Sequence, residues 1–445
     1  METAMPTKVT RRNALKLAGA ATGALATAGI GGVARALPAR QDVHEIIHWS
    51  WLTASDGEVW QEMIDAFNEA HADQGVQIRM EVVPDDQYGT KVLSSAAVNQ
   101  APDFGWGTAG LRADWIDKGV VVRLDDLVAA AELDLADFTE HALQASRYQT
   151  FDDGLYMVPM DAMSLQVLLN LDHADEAGLN ASAPPQTGEE LLDWATRMTV
   201  RDGDTVTRSG FLMTGSGVQP SVTWGIVAHQ MGFRRASDDL QEAALNPEAG
   251  QQAAQWVLDL FDEHRVATRD VTDRYQAFGT GQGAMFLTGP WTLPGYVADG
   301  LNFTTFQMPQ VGDDASTYFE LGGLEMYAQP DESRYEQTAR ALKWLSDNSF
   351  LWTTEGRGAA VRQSILDRED YQTSGLPWEI REAFVEGMPN AVIGEIPVKA
   401  APDFTIYTGS GFVAQTMDPV WANERSIEEA ITMLDEQWEL DLDEG

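Results

Sequence analysis

FGTGQGAMFLTGPW, residues 278–291, is the stretch on which the reading of this chain turns. Its second half, Ala284-Met285-Phe286-Leu287, is an apolar run of strand length, preceded by Gly279, Gly281 and Gly283 and stopped by Gly289 and Pro290. Trp291 then stands just past the carboxyl end of a buried strand. In open α/β sheets small molecules collect beyond such ends, and an indole there offers them a flat apolar face. The same residue also reads as a core tryptophan after a tight turn, so the rest of the chain has to decide.

Working outward, residues 45–51 read as a first strand, and Ser55 with Glu58 has capping-box spacing ahead of a helix whose Trp60, Met63, Ile64 and Phe67 share one face. Val76, Ile78, Met80 and Val82 alternate with polar residues, which predicts a second strand. A helix at 86–99 and a strand at 103–106 follow. Strand, helix, strand, helix, strand is the pattern of a doubly wound α/β sheet. Further on, residues 124–127 read as an exposed turn, 165–169 as a buried strand, and Thr187 with Glu190 caps a helix ending near Met198. Residues 205–225 have weak periodicity. Residues 301–308 and 320–327 read as strands, the second broken by Gly322 and Gly323; helices at 336–348 and 426–438 follow, with a frayed tail at 441–444.

With 445 residues, 44% of them apolar, the chain can build two or three domains with real cores. Sixty-nine acidic residues against 29 basic ones give a formal charge of −40, a field that repels nucleic acid and anionic lipid. Fourteen Trp, 16 Phe and 10 Tyr contradict disorder as the source of that charge. Lysine is scarce, with 6 against 23 arginines, and the combination is that of a surface adapted to high salt. The absence of cysteine removes thiolate catalysis, disulfides, iron–sulfur clusters, Cys-ligated zinc and a lipid on an N-terminal Cys.

Thr10-Arg11-Arg12-Asn13-Ala14-Leu15-Lys16 is a twin-arginine pattern, followed by a Gly/Ala-rich apolar stretch and an A-x-A site at Ala34-Arg35-Ala36. Residues 1–36 are therefore expected to be an export signal. Their loss, five basic residues against one acidic, would leave a charge near −44.

Five segments occur in an ordered series: Ala101-Pro102-Asp103-Phe104, then Gly154-Leu155-Tyr156-Met157-Val158-Pro159-Met160-Asp161, Pro185-Gln186-Thr187-Gly188-Glu189-Glu190-Leu191, Gly283 to Trp291, and Ala360-Val361-Arg362-Gln363-Ser364. With them the chain resembles extracellular solute-binding protein family 1, the maltose-binding-protein-like subunits of carbohydrate-type ABC importers. It departs at Leu169, where the family usually carries an aromatic residue before the Asn, and at Ala360, where the family has Pro. The resemblance implies a type II periplasmic-binding-protein-like α/β fold with a ligand cleft between two lobes. Lobe one would be residues 41–160 plus 325–373 and lobe two 161–324 plus 374–445. It also implies a monomer, exported to the periplasm or cell surface, that closes on a sugar or other polyhydroxylated solute and presents it to the ABC permease.

The expected substrate-binding residues are Trp51, Trp106, Thr108, Asp161, Trp224, Trp291, Gly322, Gly323 and Arg362. Indoles would stack on sugar C–H faces, Asp161 would accept hydroxyl hydrogen bonds, and the glycines would open backbone contacts. Asp103 is expected to hold loop backbone. Asp161 also reads as a hinge cap, and Arg362 as a partner for surface acid. A secreted carbohydrate-active hydrolase is the enzyme alternative, but no G-x-S-x-G elbow or H-E-x-x-H helix occurs, and no catalytic residue is expected. A cofactor enzyme would want G-x-G-x-x-G after a strand; Gly279 to Gly283 precedes one, and no cofactor is expected. Glycerol phosphate or a metal ion is the remaining kind of solute, although the basic residues are too dispersed for a phosphate cluster and the seven His show no ligand spacing.

Overall fold

The computed structural model describes residues 43–237, 240–399, 404–407, 409 and 411–444, so the expected export signal lies outside the described residues. The strands in chain order are β1 (His44–Ser50), β2 (Val76–Val82), β3 (Phe104–Thr108), β4 (Arg147–Tyr148), β5 (Gly154–Leu155), β6 (Val158–Ser164), β7 (Gln166–Asn170), β8 (Val200–Asp202), β9 (Thr205–Leu212), β10 (Gly283–Thr288), β11 (Phe303–Phe306), β12 (Thr317–Met326) and β13 (Ala391–Ile393). One sheet has the order β13-β12-β3-β1-β2, with β6 also paired to β12; the other has the order β11-β7-β10-β9-β8. β1 runs parallel to β2 and β3, and β10 parallel to β9. β12 is antiparallel to β3 and β6, as β7 is to β10 and β11, so each sheet is mixed rather than purely parallel.

Each sheet has its own core. Ile46, Trp60, Phe104, Met157, Leu324 and Leu342 belong to the first; Leu165, Phe211, Trp224, Val257, Met285 and Trp438 belong to the second. The chain changes core between Ala162 and Leu165, between Tyr318 and Phe319, and again between Ala391 and Ile393. These crossings make the fold two-lobed, and the first two lie side by side because Phe319 pairs with Ser164.

Local chemistry accounts for most elements. In the helix Gly188–Met198 the Thr187 side chain accepts from the Glu190 amide while Glu190 reaches back to the Thr187 amide, a complete capping box. The box expected at Ser55 and Glu58 does not form: the helix Ala54–Ala70 begins two residues earlier, with Thr53 rather than Ser55 at its N-cap. Residues 125–130 are a helix rather than an exposed turn. The weakly periodic 205–225 region becomes β9 and the helix Val218–Gln230, which is buried on almost every side and so shows no polar stripe. The tail expected to fray continues the helix Ile427–Glu444, with Asp441 and Leu442 packed at 8% and 9% exposure.

In the 278–291 stretch, Gly281 takes a φ of +77°, which glycine adopts without a steric penalty, and turns the chain from the helix Arg274–Gly279 into β10. β10 lies between β7 and β9 with Met285 and Phe286 fully buried. A 3₁₀ turn, Pro290–Thr292, then carries Trp291 off the strand end.

Candidate functional site

A cleft of about 360 Å³ opens where the two lobes face one another. Trp51, Thr53, Asp56, Thr108 and Arg357 reach it from the elements of the first sheet, and Trp291, Thr405 and Tyr407 from those of the second. Tyr318 and Glu320 come from the crossing strand β12. Their spacing follows from strand geometry: alternate residues share a face, so Tyr318 and Glu320 point into the cleft while Phe319 and Leu321 line a separate depression on the other side.

Trp291 is half-buried and positioned from below and beside. Gly289 leaves room for the ring, since a Cβ there would stand 1.7 Å from Trp291 Cζ3. The indole meets the Tyr407 ring edge-on at 5.9 Å, and its Nε1 donates to the Tyr275 hydroxyl at 3.4 Å. Across the cleft, Trp51 is half-buried and edge-on to Tyr88 at 4.7 Å. Its neighbour Trp49 is packed away at 7% exposure.

Arg357 is the central cation. It follows a π-helical turn, Trp352–Gly356, and its guanidinium carbon stands 5.8 Å from the Trp106 ring centroid and 5.7 Å from that of Trp291. Nη2 donates to Glu320 Oε1 at 3.1 Å, with both side chains about nine-tenths buried. Burial alone would lower the Arg357 pKa; Glu320, Asp161 and Asp56 around it outweigh that and hold it above its ordinary value. Burial raises Glu320 and Asp56 above the usual carboxylate range, with Arg357 pulling both back in part. Glu395 closes the far wall: its Oε1 accepts from Tyr318 and from Thr405 Oγ1, the latter at 2.6 Å, while Arg235 stands 3.6 Å from Oε2. Aromatic faces and hydrogen-bonding carboxylates therefore converge on one water-accessible volume, the combination that grips a small polar molecule with C–H faces.

Of the residues expected from sequence, Trp51, Thr108 and Trp291 line this cleft. The others are placed elsewhere, each for a physical reason. Trp106 is fully buried beneath Arg357, edge-on to Trp60 at 5.1 Å and to Trp352 at 5.2 Å. Trp224 is fully buried in the second core and donates to the Gly250 carbonyl at 3.0 Å, so it offers no face to a ligand. Arg362 is 6% exposed and committed to Asp137 at 2.9 Å, Asp347 at 2.8 Å and Ser346 at 3.2 Å. Gly322 and Gly323 are packing glycines rather than ligand contacts. A Cβ on Gly322 would meet Asp161 Oδ1 at 2.7 Å and Trp106 Cζ2 at 2.9 Å, and one on Gly323 would meet the Met157 side chain at 2.5 Å. Asp161 is fully buried behind the cleft, where Trp352 Nε1 donates to Oδ2 at 2.5 Å. Burial pushes its pKa up to about 7, against the pull of Arg357 and the Trp352 hydrogen bond. Asp103 holds backbone as expected: Oδ2 accepts from the Ile47 amide at 2.7 Å, and Arg334 clamps both oxygens.

Sequence reasoning missed Arg357, Tyr318, Glu320, Glu395 and Tyr407. For Tyr318 and Glu320 a signal was present, since they precede Gly322 at period-two spacing. Arg357 carried none, because a cation after a π-helical turn has no local pattern.

The chain matches the family described as bacterial extracellular solute-binding protein over residues 62–361. A curated relative, the maltotriose-binding protein of Pyrococcus abyssi, is 19% identical over 319 residues, which is 68% of this chain and 63% of that protein; the aligned part thus spans less than two thirds of the relative's length. Among solved structures, an ABC transporter solute-binding protein from Thermotoga lettingae bound with α-D-tagatose superposes with a TM-score of 0.75 at 19% identity, over 90% of this chain and all of that one. The GacH receptor of Streptomyces glaucescens, studied unliganded and with acarbose, gives 0.76 at 20% identity over 90% and 99%. UgpB of Mycobacterium tuberculosis, in complex with glycerophosphocholine, gives 0.76 at 16% identity over 90% and 98%. At these identities the structural likeness establishes the fold, and the family match covers well over half of the sequence: this chain belongs to the bacterial extracellular solute-binding proteins.

Proposed function

We propose that this protein is the extracytoplasmic substrate-binding subunit of an ABC importer and that it captures a sugar or closely related polyhydroxylated solute, which it binds without turnover and hands to a membrane permease. The observation that carries the reading is the cleft itself, where Trp51, Trp291 and Tyr407 surround Glu320, Arg357, Asp56 and Glu395. Sugar rings stack on aromatic faces, and their hydroxyls donate to carboxylates while accepting from a guanidinium. A phosphate-bearing solute is disfavoured by the same residues, because Arg357 is already paired with Glu320 and the other charged walls are acidic. Lobe one is read as residues 41–160 plus 325–373 and lobe two as 161–324 plus 374–445, acting as a monomer. The crossings near Ser164 and Tyr318 serve as the hinge that closes the lobes over the ligand. Export by the twin-arginine signal at residues 1–36 would place the subunit outside the cytoplasmic membrane.

The test is a thermal-shift screen in molar salt against hexoses, pentoses, polyols, α-glucan and β-xylan oligosaccharides, glycerol phosphates and divalent metal ions. A bound ligand at a hundredfold its Kd adds about 2.7 kcal/mol of stability. Stabilisation by carbohydrate supports the reading. Response only to phosphates or metals overturns it, and hydrolysis of any glycoside would move the protein to the enzyme class.

A further inference from the structure

Two Asn-x-Ser/Thr triplets occur in the chain, Asn180-Ala181-Ser182 and Asn302-Phe303-Thr304, and neither contributes a wall to the cleft. On the surface of an exported protein such a triplet is an acceptor for N-linked sugar. The structure separates the two. Asn302 is engaged on every side: its Nδ2 donates to Asp172 Oδ1 at 2.6 Å and its carbonyl accepts from the Leu171 amide at 2.9 Å. Phe303 is buried in β11 against β7, and Thr304 Oγ1 donates to the Glu379 carbonyl at 3.3 Å, beneath the helix Trp378–Glu386. Asn180 is open. Gly178, at a φ of +66°, stops the helix Leu171–Glu176, buried Leu179 anchors the chain, and Asn180 and Ser182 then stand exposed in a turn.

Resting on the reading of an exported subunit, we propose that Asn180 is an N-glycosylation site, accepting an oligosaccharide from a lipid phosphate or pyrophosphate carrier, and that Asn302 stays bare. The turn presents the amide. Asn180 Oδ1 accepts from the Ser182 amide at 3.2 Å, and the Asn180 carbonyl accepts from the Ala183 amide at 2.9 Å, which fixes the carboxamide beside the residue that carries the hydroxyl. Among the described residues nothing holds Asn180 Nδ2 or Ser182 Oγ by a hydrogen bond. A chain that crosses the membrane folded, by the twin-arginine route, meets the transferase in this conformation, so local geometry selects the acceptor. The transfer joins Nδ2 to C1 of the first sugar and breaks the bond from C1 to the carrier's phosphate oxygen. The lipid phosphate or pyrophosphate leaves with the bonding pair, and one Nδ2 proton passes to a base of the membrane transferase. An open groove of about 690 Å³ begins at Ser182 and runs past Pro184, Pro185 and Glu189 to Trp194, giving the first sugars an apolar floor with a carboxylate at its side.

The experiment takes the protein and its variants from the native cells and reads N-terminus, intact mass and glycopeptides by mass spectrometry with fragmentation that keeps sugars attached. The expected result is a chain that begins after Ala36, with sugar mass on Asn180 and none on Asn302. Asn180→Gln and Ser182→Ala should each remove that mass, whereas Ser182→Thr, which restores the hydroxyl, should keep it. All three substitutions are at exposed positions, and melting temperatures show that each variant is folded. An exported, processed chain with Asn180 bare would overturn the site and leave the export reading intact. Sugar that survives Asn180→Gln, or that decorates Asn302 equally, would overturn the geometric selection. An unprocessed chain confined to the cytoplasm would bring down the export reading, and the site with it.

Discussion

Asp161→Asn should make the protein more stable at neutral pH. Asp161 is fully buried between Gly322, Gly358 and Trp352, and its pKa is pushed from 3.8 to about 7, chiefly by loss of solvent. The folded-state value lies above the unfolded one, so the folded chain binds the proton more tightly. The stability linked to that proton is therefore fully present below about pH 4, declines as pH rises from about 4 to about 7, and is gone above that. A carboxyl raised from 3.8 to about 7 on folding corresponds to a change on the order of 4 kcal/mol across the window. An Asn at this position can still accept from Trp352 Nε1 but cannot ionise, so the difference in unfolding free energy between variant and wild type should swing toward the variant by that amount. The assay is denaturant unfolding of both proteins at pH 4, 5, 6, 7 and 8 at fixed salt. Taking the difference cancels the other buried titrating groups, such as Glu325, raised to about 7 by burial, and His48, lowered to about 3 by burial. A difference that stays flat within about 1 kcal/mol from pH 4 to 8 would show that Asp161 ionises as it does in water, and the account of a desolvated carboxylate behind the hinge would be wrong.

Gly289→Ala should weaken ligand binding about as much as Trp291→Ala, by about tenfold or more, because the added Cβ cannot coexist with the indole where it lies; calorimetry on the two variants compares them directly. Arg357→Met leaves Glu320 buried without its partner and should cost about 3 kcal/mol of stability. Adding Glu320→Gln should recover most of that, and a double-mutant cycle by denaturant unfolding measures the coupling. Trp224→Ala, which empties the second core, should cost about 3–5 kcal/mol in the same assay yet leave the affinity of the folded protein unchanged. With 69 acidic residues against 29 basic, the melting temperature should climb from low to molar salt as surface repulsion is screened, and a flat profile in scanning calorimetry would refute the salt-adapted reading.

How far each residue could be read from sequence depended on whether its surroundings leave a local pattern. β10 was legible because an apolar run between glycines and a Gly-Pro stop has few other solutions, and Trp291 followed from it. β2 was legible from strict alternation, and the helix Gly188–Met198 from a capping box that needs only two residues three apart. The helix carrying Trp224 failed on the same logic: buried on nearly all sides, it has no amphipathic period, and its tryptophan looked like a loop residue free to reach a ligand. Arg362 and Arg357 show the harder limit. Both are arginines near glycine or small residues, and nothing local separates them. What does separate them is which acid each meets across the fold. Asp137, 225 residues away, draws Arg362 onto the lobe, whereas Glu320, 37 residues away on the crossing strand, holds Arg357 at the cleft.

The same crossing strand ties the site to the proposed hinge. Tyr318 and Glu320 face the cleft, and Gly322, two residues on, lies against Asp161 at a position where β12 changes register on β6. Phe319 and Leu321 on either side of Glu320 pack in the first core, so a rotation of the lobes about the crossing at Tyr318 would keep Glu320 with Arg357, which is anchored in the first lobe beside Trp352 and Trp106. Trp291 belongs to the second lobe and shares that guanidinium with Trp106. Closure would therefore alter the contact between Trp291 and Arg357. A ligand hydroxyl that accepts from Arg357 in the closed form and loses it in the open one would have the differential affinity that any ligand-driven closure requires.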